Sequence, residues 1–434
     1  MSGVMRVCCA LAVAWALPAH AQEVLGVGPR AAGLAGAVSA RTGDIGAAYY
    51  GPASLPDPDD APGFAELELG YLHASPQLSV DALDPEQPIE VLPTGAVNGV
   101  WVGARFDLGV AFDVEGVVVG LSLYVPGRDL FRWRLRPDDT PQWATWTDRT
   151  QHLSIVAGLG WQITPWLALG AGAQVLFDVQ TFTTALVSRI ERGTDPETGE
   201  PIVEVDAQLG TEVTVFGRAA PIASVRITPH RRLNVSLAYR GEIYVDDRGW
   251  TRLDGTPGLG AIGYVHRFAH YYQPHQLVLG TAVALGEVEL SADLTYNRWE
   301  RGRTPNARQL GAGRYGDTLV PALGMSWSRG PGALWLGYRY QRAHFTNANG
   351  PTNLLENDQH VTSVGGELRL ARWLPSFPVR VRLALQTIVL PEETEEKDWR
   401  RFSSDALLER NAGYPGYRYR GWVPSVWLSV GATW

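Results

Sequence analysis

The last fourteen residues, GWVPSVWLSVGATW, narrow the possible folds more than any other stretch. Trp422, Pro424, Val426, Leu428, Val430, Ala432 and Trp434 fall on one face of an extended chain. Val423, Ser425, Trp427, Ser429, Gly431 and Thr433 fall on the other. Successive side chains of a strand point to opposite faces, so this is a period-2 pattern with one apolar stripe and one mostly small or polar face. A water-soluble protein rarely leaves such a stripe exposed at its end. A strand that turns the stripe to lipid and places the last Trp in an interfacial girdle accommodates it.

The pattern recurs. In VELSADLTYNRW, Val288, Leu290, Ala292, Leu294 and Tyr296 alternate with Glu289, Ser291, Asp293, Thr295 and Asn297. LNVSLAYR (233–240) and VRVRLALQ (379–386) alternate in the same way. Charged residues on the second face cannot fill a dry sandwich core; they suit a polar lumen. The reading is an all-β fold, a transmembrane antiparallel β-barrel of fourteen strands. The strands fall near 64–75, 96–107, 115–125, 152–163, 166–180, 205–228, 233–246, 275–285, 288–299, 317–329, 333–345, 359–371, 379–390 and 421–434. Connections after even strands are short and those after odd strands long, which matches periplasmic turns and external loops. The aromatic terminus resembles the signal by which outer-membrane barrels are handed to the barrel assembly machinery, an expected partner.

The first residues, MSGVMRVCCALAVAWALPAHA, read as a signal peptide: Arg6, an apolar core from Val7 to Leu17, and a small-x-small site at Ala19–Ala21. Residues 1–21 are expected to be cleaved, giving export to the outer membrane of a Gram-negative bacterium. Cys8 and Cys9 both lie there, so residues 22–434 carry no disulfide, thiolate metal site or cysteine nucleophile. Loss of Arg6 takes the formal charge from −8 to −9, which argues against nucleic acid as a partner. Lys397 is the only lysine. No later apolar run is long enough for a membrane helix.

Residues 22–63 precede the first strand, and residues 64–434 are read as the barrel. Leu34, Val38, Ile45, Tyr49, Tyr50 and Leu55 are spaced through small residues with little charge. That composition suits close packing in a confined space better than a free tail, so the segment is expected to plug the lumen. Here GPRAAGLAGAVSARTGDIGAAYYGPASL resembles the N-terminal hatch of the FadL-like outer-membrane transporters of long-chain fatty acids and hydrocarbons. Tyr49 and Tyr50 fit that family's aromatic pair, and Pro52, Ala53 and Leu55 fit the core of its Asn-Pro-Ala-Gly-Leu motif; Gly51 replaces the Asn and Ser54 the Gly. VVVGLSLYVPG (117–127), RRLNVSLAYRGEI (231–243) and LVLGTAVALGEVELSADLTYNRWE (277–300) resemble other family strands in the expected order.

The resemblance implies passive transport without a cofactor. An apolar ligand is captured between long external loops and released past the hatch through a lateral opening near a kink in the third strand. Candidate capture residues are Leu186, Val187 and Ile190, at helical spacing in the third external loop, and Ile262, Tyr264, Phe268, Tyr271 and Tyr272 in the fourth. Girdle aromatics are the alternative explanation. Gly116 and Gly120 are candidates for the gate strand, since glycine in a strand can mark a kink. Expected partners are a hydrophobic small molecule, outer-membrane lipid and lipopolysaccharide, around a monomer. A barrel of this fold that serves as a scaffold or assembly factor for secretion is the second reading. No enzymatic pattern stands out. His152 and Ser154 share a strand face without a third partner, and His266, His270 and His275 match no zinc spacing.

Overall fold

The computed structural model describes residues 25–42, 44–56, 65–86, 95–127, 141–143, 146, 153–194, 201–256, 260–302, 315–345, 353–370, 378–397 and 414–433. Two short helices come first, α1 (Pro29–Gly33) and α2 (Ala47–Tyr50), then a 3-10 turn at Pro52–Ser54. Next are β1 (Ala65–Ala74), β2 (Gln77–Ala82), β3 (Val97–Asp107), helix α3 (Leu108–Phe112), β4 (Val117–Pro126), β5 (Gln142–Trp143) and β6 (Ser154–Thr164). They are followed by β7 (Leu167–Thr194), β8 (Pro201–His230), β9 (Leu233–Arg240), β10 (Ile243–Thr256), β11 (Gly260–Gln273), β12 (His275–Leu285) and β13 (Val288–Arg298). The last are β14 (Thr318–Arg329), β15 (Gly332–Gln341), β16 (Leu354–Leu355), β17 (Gln359–Arg369), β18 (Val379–Glu396) and β19 (Gly416–Thr433).

Fourteen of these strands close into one antiparallel wall. Its order is β1, β3, β4, β6, β7, β8, β9, β12, β13, β14, β15, β17, β18, β19, and β19 pairs back onto β1. Closure leaves no edge strand. The strands are the fourteen that the alternation marks. Tight turns at Pro165–Trp166, Arg231–Arg232, Gly286–Glu287 and Gly330–Pro331 join neighbours at one end.

The faces divide as the pattern requires. On β19, Trp422, Leu428 and Val430 are half-exposed on the outside, while Val423, Trp427 and Ser429 are buried inside. On β13, Leu290, Leu294 and Tyr296 point out, and Asp293 and Asn297 are buried. The outer surface is thus an apolar band of the kind a membrane barrel turns to lipid.

The external connections differ from expectation. Much of 181–204 and 247–274 is strand: β7 and β8 run 28 and 30 residues. Leu186, Val187 and Ile190 lie on β7 opposite Gln208, Ala207 and Val205, so their helical spacing is not realised. Prolonging an existing hairpin adds one ladder bond at a time, whereas a short isolated helix needs a costly nucleus. The preceding Thr181-Phe182-Thr183-Thr184 also favours a strand. The charged run from Pro391 extends β18 to Glu396 instead of looping out, because it pairs with the start of β19 past a bulge between Leu390 and Glu393.

Candidate functional site

The wall carries glycine where the N-terminal segment presses on it. Gly160 on β6 and Gly170 on β7 are ladder partners. A β-carbon at Gly160 would lie 2.5 Å from Pro56 Cδ and one at Gly170 2.8 Å from Pro52 Cβ, with backbone atoms of Pro52 and Ala53 closer still. Only a hydrogen at these positions lets the 3-10 turn lie against the strands. Across the lumen, α1 packs against β15, β17, β18 and β19, while α2 packs against β4, β6 and β7. Leu25, Val27, Leu34, Val38, Ile45, Tyr49 and Leu55 are buried throughout.

Polar groups of the wall fix the segment. The Asp293 carboxylate accepts the Val38 and Ser39 N–H groups at 3.2 and 2.9 Å. Glu289 pairs with Arg30 at 3.3 Å and Arg41 at 2.8 Å. Ser363 Oγ donates to the Gly33 carbonyl at 2.9 Å and Trp427 Nε1 to the Leu25 carbonyl at 3.2 Å. The hatch-motif residues take part. Tyr49 and Tyr50 pack edge-to-face at 5.1 Å, and the Arg240 guanidinium lies 4.7 Å from the Tyr49 ring centre. Tyr50 Oη accepts the Val27 N–H at 3.0 Å. The Gly51 N–H closes α2 onto the Ala47 carbonyl, and the Ala53 N–H donates to Ser224 Oγ at 2.8 Å. Leu55 packs beneath Gly120, whose β-carbon would meet Leu55 Cδ2 at 2.7 Å.

A buried ionic cluster lies beside the segment. Arg382 binds Glu68 and also reaches Glu367 at 2.7 Å, and Arg105 binds Glu66 at 3.2 Å. Charges this buried are tolerated only when paired. Asp44 of the segment approaches the cluster; its Oδ1 accepts the Gly46 N–H at 2.8 Å. Burial pushes its carboxyl up to about 7, against a smaller opposing pull from Arg382.

On the external side of the segment the lumen becomes aromatic. β5 lies parallel to β16, and Trp143 meets Tyr419 edge-on at 5.6 Å. Trp146, Tyr417, Leu355 and Leu390 join the same buried cluster. Among the described residues, the Gln142 side-chain amide and the Trp143 and Trp146 indole N–H groups are buried there without hydrogen-bond partners. Lys397, 4% exposed, binds Asn353 and faces the Tyr417 ring at 5.7 Å. An apolar, aromatic lining with a few polar groups is the kind that suits a hydrophobic ligand.

The candidate capture residues are brought into one sheet. β10 pairs in parallel with β7, from Arg248 opposite Gln180 to Asp254 opposite Leu186, and Phe182 stacks on Trp250 at 5.1 Å. Ile262, Tyr264, Phe268 and Tyr271 lie on β11 opposite Leu253, Thr251, Asp247 and Val245. Tyr272 is half-buried, donates to Glu242 at 3.4 Å and lies 5.8 Å from Trp299. Gly116 has φ +73° in the turn before β4, and a β-carbon there would lie 2.8 Å from the Gln162 carbonyl. The ladders from β4 to β3 and to β6 run without a register shift. Trp434 and His152 lie outside the described residues, which also leave out 22–24, 43 and 57–64. Ser154 is buried within 3.5 Å of Gln174. Among the described residues no group of three His, Cys, Asp or Glu could hold a metal ion.

Sequence reasoning missed the glycine-lined surface and the pairing of Arg382 with Glu68 and Glu367 and of Arg105 with Glu66. The signal was there: Gly158, Gly160, Gly170 and Gly172 sit at period 2 on the inward face of two adjacent strands.

No family model and no curated protein matches the sequence. Solved structures do. A Pseudomonas aeruginosa FadL homologue is 16% identical with a TM-score of 0.56, over 94% of this chain and 98% of its own. The P. putida toluene transporter TodX is 14% identical with a TM-score of 0.61, over 95% and 99%. The monoaromatic hydrocarbon channel CymD is 14% identical with a TM-score of 0.56, over 95% and 99%. Over almost its whole length, this chain therefore has the fold of the FadL-like channels.

Proposed function

We propose that this protein is a passive outer-membrane transporter of hydrophobic small molecules. What supports the reading is a closed fourteen-stranded barrel in which α1 and α2 pack against the strands and an aromatic cluster gathers around Trp143 and Tyr419. A water path does not help a molecule that avoids water. A lining of apolar side chains gives that molecule continuous partners. The names of the neighbours, a toluene transporter and a monoaromatic hydrocarbon channel, point the same way.

In this reading residues 1–21 are a cleaved signal, residues 22–63 the hatch, and residues 64–434 the barrel. Leu186, Val187, Ile190, Ile262, Tyr264, Phe268, Tyr271 and Tyr272 form the external capture surface. The ligand then moves inward by the aromatic cluster around Trp143 and Tyr419 and leaves past the hatch through the wall. Gly116 and Gly120 mark the gate strand that the family resemblance suggests, and opening there requires the β3–β4 or β4–β6 ladder to part. The test is mass spectrometry of what co-purifies with the protein in mild detergent, beside a Leu186→Ala/Phe268→Ala variant. A stoichiometric apolar molecule that is depleted in the variant is expected. An empty barrel that retains a protein partner instead would overturn transport in favour of a scaffold.

A further inference from the structure

The outward side of β19 changes character once. From the end with the tight turns, its outward residues are Val430, Leu428, Val426, Pro424 and Trp422, and the next two are Arg420 and Arg418. Trp422 and its ladder partner Val389 are both half-exposed. Tyr239, Tyr296 and Tyr338 are half-exposed on other strands, in the manner of an interfacial girdle. In a wall set in a membrane, a side chain pointing outward just past that girdle meets lipid headgroups, not the lumen. Arg420 and Arg418 occupy two successive outward positions at that level.

A cleft of about 460 Å³ opens beside them. The β18–β19 register shifts between Leu390 and Glu393, which leaves Glu392 outside the ladder. Gly421 has no side chain to fill the gap, and its ladder partner on β2 is Leu78. Leu78 and Leu390 give the cleft an apolar floor, Gln77, Ser79 and Glu392 a polar side, and Trp422 and Arg420 the rest of the rim. Arg420 contacts Glu392 and lies 4.0 Å from Asp81, and Arg418 lies 3.5 Å from Glu392. All four charged side chains are exposed, so these pairs are weak. They hold guanidinium groups over the cleft without filling it.

We propose that this cleft binds the phosphorylated sugar headgroup of an outer-leaflet glycolipid. A guanidinium grips phosphate with two parallel hydrogen bonds, a stronger hold than an exposed carboxylate pair provides. Gln77 and Ser79 offer donors and acceptors to sugar hydroxyls, and Trp422 offers an apolar face with a polar edge. The leucine floor takes the first acyl carbons. The lipid is the occupant, and not free phosphate, because an indole rim and a leucine floor add nothing to the binding of an inorganic ion. The inference rests on the wall lying in the outer membrane and is independent of transport. It also makes Glu392 a competitor: this carboxylate engages both arginines, and a phosphate has to replace it. Neutralising Glu392 therefore strengthens lipid binding, whereas a network that merely braces the wall would gain nothing from the change.

The test is native mass spectrometry of the purified protein in mild detergent, titrated with bisphosphorylated lipid A. Arg418→Gln with Arg420→Gln should weaken binding by about tenfold or more, the scale of one lost charge-assisted pair. Glu392→Gln should strengthen it severalfold. Arg298→Gln, which removes an exposed arginine paired with Glu300 elsewhere on the wall, should change nothing. Lipid A stripped of its phosphates should bind the parent as weakly as lipid A binds the double variant, and millimolar inorganic phosphate should not displace lipid A. Unchanged binding in the double variant overturns the site, and so does a Glu392→Gln protein that binds no better than the parent. Displacement by inorganic phosphate overturns the lipid in favour of a free anion. If the double variant does not migrate as a folded barrel, Glu392→Gln and the dephosphorylated lipid decide. Membrane fractionation checks the setting separately: recovery with the inner membrane overturns the location, and loss of lipid A discrimination overturns the site.

Discussion

If the glycine-lined wall holds the N-terminal segment in place, valine at Gly160 and Gly170 must displace it. The two positions are partners on adjacent strands and face the same turn, Pro52–Ser54. A β-carbon would stand 2.5 Å from Pro56 Cδ at one position and 2.8 Å from Pro52 Cβ at the other. Carbon atoms rest about 3.5–4.0 Å apart, so the turn has to withdraw by roughly 1 Å. Overpacking of this kind costs about 1–3 kcal/mol at each site, and as neighbours the two do not simply add. A combined penalty of about 4 kcal/mol moves the local equilibrium by roughly a thousandfold toward a displaced turn. Valine favours strands, so the wall itself should assemble.

The assay is conductance in planar bilayers together with labelling of an Ala53→Cys probe by a water-soluble maleimide. Strands about 4.8 Å apart and tilted by about 40° give a fourteen-stranded barrel a backbone radius of about 14 Å, ample for ions once the segment moves. The parent should be silent and its probe protected, since Ala53 is buried. The double variant should conduct and label. Gly210→Val is the control, because nothing lies within 4 Å of a β-carbon there. A double variant that folds, stays silent and keeps Ala53→Cys protected would show that the wall yields instead, and would refute the reasoning.

Asp293→Ala strands two buried N–H groups at about 1–3 kcal/mol each, so hydrogen exchange at Val38 and Ser39 should accelerate strongly, with Asp293→Asn intermediate. Asp44 holds its proton more tightly folded, near 7, than unfolded, near 3.8. Its contribution to stability is therefore complete below the lower value and lost as pH rises through the upper one. Asp44→Asn should leave an Ala48→Cys probe equally protected at pH 3, below the unfolded value, and better protected than the parent at pH 8. Arg382→Ala leaves Glu68 and Glu367 without their shared cation, which costs about 3–5 kcal/mol and should lower the thermal transition measured by heat-modifiable gel migration. Lys397 is buried, so an amine-reactive ester should modify it only after unfolding, as peptide mass mapping will read directly.

The wall was legible because lipid outside and polar groups inside impose one rule on every strand. Asp293, Arg382 and Ser429 announce the lumen side by alternating with Leu294, Leu383 and Val430. Tyr49, Tyr50 and Pro52, singled out by the resemblance, lie buried among small neighbours that leave them room. The external segments were not legible. Leu186, Val187 and Ile190 fit a helix as well as a strand, and what decides is the partner strand β8, remote information that local spacing does not carry. Gly116 and Gly120 show the same limit from the other side. Glycine in a strand reads as a kink, yet Gly116 serves a turn with positive φ and Gly120 makes room for Leu55. The meaning of each glycine depends on what packs over it.

The two halves of the N-terminal segment are held by different means, and this bears on the route. The first half is tied by directional bonds: Asp293 to Val38 and Ser39, Glu289 to Arg30 and Arg41, Trp427 to the Leu25 carbonyl. The second half is held largely by shape, against Gly120, Gly160 and Gly170. A ligand going straight down would have to undo both in one event, and the exposed carboxylates and N–H groups would lose partners in a confined space. The two halves can therefore yield separately: removing Asp293 loosens the backbone at Val38 and Ser39, while filling Gly160 and Gly170 displaces the turn at Pro52–Ser54.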